Sequence, residues 1–168
     1  ALGVDASAVR RALESERPAP LEPTAAPAVV ATAAPVGARF ERVVDGIHQY
    51  RTADGVPILV RRRPGASLAH LGCFVGGGVM QESEHEGGIS TLMARAMLRG
   101  TTTRSASRLA EDGELLGGIP SANVGTETMQ WTIGVPARQF DAAAELLSDL
   151  VLSPVFPEDG VEAERAVA

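Results

Sequence analysis

One cysteine, one tryptophan, one tyrosine and four phenylalanines in 168 residues put several kinds of protein out of reach. Cys73 has no second thiol to pair with, so the chain is not a small secreted scaffold stapled by internal disulfides. The scarcity of aromatics and a net charge of −6 remove both a base-stacking platform and a basic phosphate-tracking surface, so a nucleic-acid partner is not expected. No apolar run reaches the roughly 18 residues that cross a bilayer, and no basic, apolar and cleavage regions of a signal peptide follow Ala1. The chain is expected to be soluble, and bacterial periplasm and cytoplasm both stay open as its compartment.

What is present suits a folded domain: 45% hydrophobic and 21% charged residues are enough for one core. Residues 1–16 carry Asp5 as an N-cap ahead of Val9, Ala12 and Leu13, a short helix that reads as the tail of a preceding domain. Residues 17–37 are rich in Pro and Ala, with Pro18, Pro20, Pro23, Pro27 and Pro35, and read as a semi-stiff linker. The main domain is expected over 38–168. Phe40 to Arg51 and Val56 to Arg62 are β-rich runs flanking the turn Ala53-Asp54-Gly55, and Leu68 to Val75 is a third, more apolar strand. Gly76-Gly77-Gly78 breaks that strand. Ile89, Leu92, Met93, Ala96 and Met97 then recur at helical spacing, as a core stripe that ends at Gly100, with Thr91 and Arg95 as a polar edge. A helix over Ser105 to Leu116, broken near Gly113, precedes strands at 119–124 and 127–135 and a helix from about Arg138 to Pro154. The final Glu162 to Ala168 reads as a helix without a stop signal, which makes the domain incomplete at its C-terminal end. The expected fold class is α+β, with helices layered on one mainly antiparallel sheet.

Most chemical motifs are excluded by spacing. Glu82, Glu84, His85 and Glu86 are metal-ligand types, but neighbours in a glycine-flanked loop point in different directions, so a solvated acidic loop is the better account. His85-Glu86 lacks the second His of His-Glu-x-x-His. Gly76-Gly77-Gly78 lacks the Gly-Lys-Ser/Thr ending of a phosphate loop and reads as a turn. His48 and His70 lie in strands without evident partners. Ser83, Ser90 and Cys73 have neither a nucleophile-elbow context nor a base in sight.

The order of anchors nevertheless resembles one family. Val75-Gly76-Gly77-Gly78, Glu82, Gly88-Ile89-Ser90 and Met97-Leu98-Arg99-Gly100-Thr101, followed by Leu116-Gly117-Gly118, Ser121-Ala122, Leu150 to Phe156 and Glu164-Arg165, look like the pitrilysin, insulinase and mitochondrial-processing-peptidase family (M16). The likeness covers roughly residues 38 to 168. It implies an M16-like domain, and it implies that the family's zinc motif, His-x-x-Glu-His, falls on Thr91-Leu92-Met93-Ala94-Arg95.

All three working residues are missing there. By resemblance the two His would bind zinc and the Glu would take a proton from metal-bound water. Thr91 offers a neutral hydroxyl, Ala94 no acceptor, and Arg95 a fixed positive charge. The family's third ligand, seven positions after the Glu of the Glu-Arg pair, falls beyond Ala168. The resemblance therefore implies a non-catalytic domain that encloses substrate in a clamshell-like peptide chamber, with zinc and catalysis supplied by another M16 domain or subunit. The alternative is a binding or assembly protein of the same fold with no role in proteolysis. Site residues expected on this basis are the degenerate positions Thr91, Ala94 and Arg95, with Arg95 suited to a carboxylate. Ser121, Ala122 and Asn123 join them on a strand that resembles the family's edge for an extended peptide substrate. Pro120 is expected to remove one donor from that strand.

Overall fold

The computed structural model describes residues 37–167. The helix expected over 1–16 and, apart from Gly37, the linker expected over 17–37 lie outside the described residues. The chain divides into two units, one up to Arg62 and one from Arg63 onward.

The first unit is a three-stranded antiparallel sheet of β1 (Ala38–Val44), β2 (Ile47–Thr52) and β3 (Pro57–Arg61), in that order. The run from Phe40 to Arg51 is two strands rather than one. Asp45 and Gly46 take φ of 50° and 75°, the paired positive values that reverse a chain in a two-residue hairpin. The Asp-Gly signal was hidden by the β-branched residues on both sides of it. The register shifts between Phe40 and Arg42, and Glu41 at this irregularity accepts a 2.7 Å hydrogen bond from Arg51 Nε. On one face Phe40 meets Tyr50 edge-on, with ring centroids 5.6 Å apart.

The second unit carries the remaining strands. β4 (Leu68–Gly76), β5 (Ser121–Val124) and β6 (Thr128–Pro136) form an antiparallel sheet in the order β4-β6-β5. The α+β class holds, with the strands shared between two three-stranded sheets instead of one. Four helices belong to this unit: α1 (Ile89–Ala96), α2 (Ala106–Leu116), α3 (Phe140–Leu152) and α4 (Glu158–Arg165). The helices cover one sheet face, because alternation sends Trp131, Ile133 and Val135 of β6 to the same side. There they join Ala94, Met97, Leu109, Ala143, Leu146, Leu147 and Leu150 in one buried cluster.

Three backbone joints set the spacing of these elements. α2 does not break at Gly113; it runs on to Leu116. It closes through Gly117 at φ 79°, with Gly117 N donating to Glu114 O and Gly118 N to Gly113 O, both at 3.0 Å. These paired bonds cap the last carbonyls of the helix. Gly118 then lies so near β6 that a Cβ on it would fall 1.9 Å from Gly134 O. Gly78, at φ 129°, lies against the β5–β6 turn, where a Cβ would fall 2.4 Å from Gly125 O. Val79 N and Met80 N donate to Gly125 O and Thr126 O. The triple glycine is thus a backbone-to-backbone joint, which agrees with reading it as a turn and not a phosphate loop.

Candidate functional site

The helix α1 carries the three positions of interest, and its start is fixed from an unexpected side. Gly88, at its N-cap, has no side chain to offer. Glu82 supplies the cap instead: its Oε2 accepts from Gly88 N at 2.7 Å and its Oε1 from Ser90 N at 2.9 Å. A carboxylate at a helix N-terminus satisfies orphan N–H groups and opposes the positive end of the helix dipole. The bond from Gly88, then that from Ser90, holds the Glu82 carboxyl below its ordinary range. The acidic loop is therefore only partly solvent-facing: Glu82 turns inward, Ser83 Oγ donates to Glu86 at 2.7 Å, and Glu84 and His85 are exposed.

Along α1 the expected stripe holds at Ala96 and Met97, which are buried, and at Met93, which packs on the core. It fails at Ile89, which is 52% exposed, while Ala94, outside the stripe, is 0% exposed. The small methyl of Ala94 permits close approach of the sheet, and Trp131 Nε1 donates a 3.1 Å hydrogen bond to Ala94 O. That carbonyl is one of the last four of α1, which the helix itself leaves unpaired. Thr91, one turn earlier, is half-buried.

Arg95 turns to α4. Its Nε lies 2.7 Å from Oε2 of Glu164, but off the N–H line, so this is an ion pair and Oε2 receives no hydrogen bond from a side chain or backbone donor. The other oxygen, Oε1, is held by Arg99, whose Nε donates at 2.8 Å and whose NH2 group also donates. Arg99 follows α1 in a short 3-10 turn, Met97–Arg99. The Glu164 side chain is only 6% exposed, whereas those of Arg95 and Arg99 stand near 40%. Sequence reasoning put Arg95 among the site residues but named Arg99 and Glu164 only as family anchors, since no local signal ties a residue of the last helix to one 65 positions earlier. A cavity of about 250 Å³ borders this cluster, lined by Arg99, Glu164, Leu109, Ile119, Pro120 and Leu150 among others.

A second cluster braces the loop after α1. Asp149 of α3 accepts from Thr101 Oγ1 at 2.6 Å, Thr103 Oγ1 at 2.7 Å and Arg104 NH1 at 2.5 Å. Arg104 also reaches Asp112 of α2 at 3.1 Å. Partial burial raises the Asp149 carboxyl, but the bonds from Thr101, Thr103 and Arg104 outweigh it and leave the group below its ordinary range.

Ser121, Ala122 and Asn123 lie on β5, at the edge of the second sheet. Ala122 and Val124 pack toward the core, while Ser121 and Asn123 point away and are exposed. Ser121 Oγ lies 3.1 Å from Thr132 Oγ1 across the ladder. Pro120 stands just before β5, so the ladder loses no donor to it, contrary to expectation. Among the described residues, the backbone of Ser121 to Val124 pairs with β6 alone, which leaves about 13 Å of open strand edge. α1 packs across β5 and β6, so the helix that carries Thr91, Ala94 and Arg95 and the open edge are neighbours. His48 and His70 are brought into no such cluster; His70 lies over Gly134, whose Cβ site is 2.9 Å from its Nδ1.

The arrangement offers an open β edge for main-chain hydrogen bonding beside a helix that carries the half-buried Thr91 hydroxyl and the Arg95 guanidinium, with Ala94 buried against the sheet. Among the described residues no three His, Cys, Asp or Glu gather as a metal site, and no helix is long and apolar enough to cross a membrane.

Comparison with known proteins agrees with the fold. The family model described as insulinase (peptidase family M16) matches residues 58–168. A Bacillus subtilis (strain 168) protein named as an uncharacterized zinc protease is 26% identical over 121 residues, which is 72% of this chain and 30% of that protein. A probable mitochondrial-processing peptidase subunit alpha-2 of Arabidopsis thaliana is 30% identical over 103 residues, 61% of this chain and 20% of that protein. Among solved structures, pitrilysin superposes with a TM-score of 0.69 at 20% identity, over 78% of this chain and 15% of that one. A protease from Helicobacter pylori superposes with a TM-score of 0.66 at 16% identity, over 72% and 29%. The chain spans less than a third of the length of these relatives.

Proposed function

Because the chain belongs to the insulinase family, peptidase family M16, we propose that it is a non-catalytic domain of an M16-type zinc metalloendopeptidase, which encloses an extended peptide together with a catalytic domain or subunit. The observation that carries this reading is the state of α1. Relatives bear the name zinc protease, so zinc is the metal the family implies, and the residues of this chain do not fit it. Zinc takes thiolate, imidazole or carboxylate. Thr91, Ala94 and Arg95 supply none of these, Ala94 is sealed from water, and Arg95 and Arg99 put two positive charges on the Glu164 carboxylate. Zinc and the hydrolytic step belong to the other domain or subunit.

What this chain contributes is the open edge of β5. An extended peptide added there would bond through its main chain, so recognition would depend little on its side chains. Ser121 and Asn123, exposed on one face, would contact side chains of the peptide on that face. A partner subunit is supported by relatives named as subunits of mitochondrial-processing peptidase. An assembly role without proteolysis is the second reading, favoured by the same missing ligands. A quenched peptide library incubated with the chain, alone and with its co-purifying partner, tests the proposal. Cleavage is expected only with the partner, and chelator-sensitive cleavage by the chain alone would sink it. Absence of cleavage in both arms, with a stable complex, would favour assembly.

A further inference from the structure

We infer that Arg95, Arg99 and Glu164 form a metal-free latch that ties α1 to α4, and that the same charges exclude a divalent cation from the slot. The inference rests on the non-catalytic reading of α1 only in so far as the slot holds no zinc; it requires neither a partner nor a peptide.

Three features of the cluster carry it. The first is burial: a carboxylate with 6% of its side chain exposed gives up most of its hydration and must be compensated by charge and hydrogen bonds within reach. Both oxygens are met by cations, Oε1 by Arg99 and Oε2 by Arg95. The second is charge: two guanidiniums against one carboxylate leave the site net positive. A divalent cation entering it would meet repulsion and no free ligand. The third is the fit of the helices. Gly160, inside α4, would with a Cβ come within 2.9 Å of Arg99 Cβ and 3.0 Å of Pro157 Cγ. Glycine in a helix interior is unfavourable, and here it lets α4 close on the stem of Arg99 so that Glu164, one turn later, reaches both arginines. The favourable placement of arginine near a helix C-terminus explains cations at this end of α1, but not a buried carboxylate aimed at them from another helix.

The test is a set of unfolding midpoints for the 168-residue chain with EDTA or with added zinc chloride. The wild type is expected to give the same midpoint in both. R95Q/R99Q strands the carboxylate, and its midpoint is expected to fall by about 10 °C. R95Q/R99Q/E164Q removes the stranded charge and is expected to regain at least half of that loss. If R95Q/R99Q does not fold, the comparison of R95Q, E164Q and R95Q/E164Q replaces it, the double variant losing less than the sum of the singles. A triple variant no more stable than the double, strict additivity in the second set, or a wild-type midpoint lowered by EDTA overturns the latch. None of these outcomes bears on peptide cleavage, so the latch and the proposed function fail separately.

Discussion

Replacing Trp131 by Phe should destabilise the domain by about 2–4 kcal/mol, out of proportion to a swap of one aromatic for another. The indole is buried and donates to the carbonyl of Ala94 at 3.1 Å, a group that α1 cannot pair for itself. Loss of that donor leaves a buried acceptor unsatisfied, which costs about 1–3 kcal/mol. The phenyl ring is also smaller by roughly 40 Å³, and at ~24 cal/mol per Å³ of residual cavity this adds about 1 kcal/mol. The assay is urea unfolding followed by far-UV circular dichroism, because Trp131 is the single tryptophan and the variant has no indole fluorescence to follow. A loss under about 0.5 kcal/mol would refute the reasoning, since it would mean that the carbonyl finds another donor and that the core closes over the missing ring.

Gly118→Ala places a methyl carbon 1.9 Å from Gly134 O, so the α2–β5 connection must move; the expected result is a loss of about 3 kcal/mol or an insoluble product, read by expression and thermal melting. Gly160→Ala should destabilise although alanine is the better helix former, because its methyl meets the stem of Arg99; a gain in midpoint would count against the close approach of α4. Asp149→Ala removes the acceptor for Thr101, Thr103 and Arg104 and should cost about 2 kcal/mol in urea unfolding. Asp149 and Glu82 both titrate below their ordinary range in the fold. Each therefore adds stability above its unfolded pKa, which is lost as pH falls through the lower folded value. The midpoint should be flat near neutrality and fall below about pH 4.5, with a shallower fall in Asp149→Ala. An unchanged acid limb in that variant would show that Asp149 is not among the groups responsible.

Much of the fold was legible because its signals are local. Gly117-Gly118 after a helical pattern marks a closing turn within a few residues, and the helix expected from Ser105 starts one residue later, with Ser105 as its N-cap accepting from Arg108 N. The Asp45-Gly46 reversal was equally local but was passed over, since a run of β-branched residues outweighed a dipeptide. Gly113 misled in the opposite direction: a helix-weakening residue stood where the chain needed room, its Cβ site being 3.0 Å from Gly118 O. On α1 the stripe was read correctly at Ala96 and Met97, but Ile89 is exposed and Ala94 buried, because periodicity weighs large apolar side chains, whereas Ala94 is buried for its smallness.

The sequence by itself determined the α+β class, the family likeness and the absence of any thiolate, imidazole or carboxylate from Thr91, Ala94 and Arg95, because composition, spacing and residue chemistry are read within a short stretch of chain. Tertiary structure alone decided what these residues do instead. Trp131 meets Ala94 from 37 positions away and Glu164 meets Arg99 from 65. Such pairings depend on how helices close over a sheet, and that closing is governed by packing and by the need to compensate a buried charge, neither of which leaves a mark in local sequence.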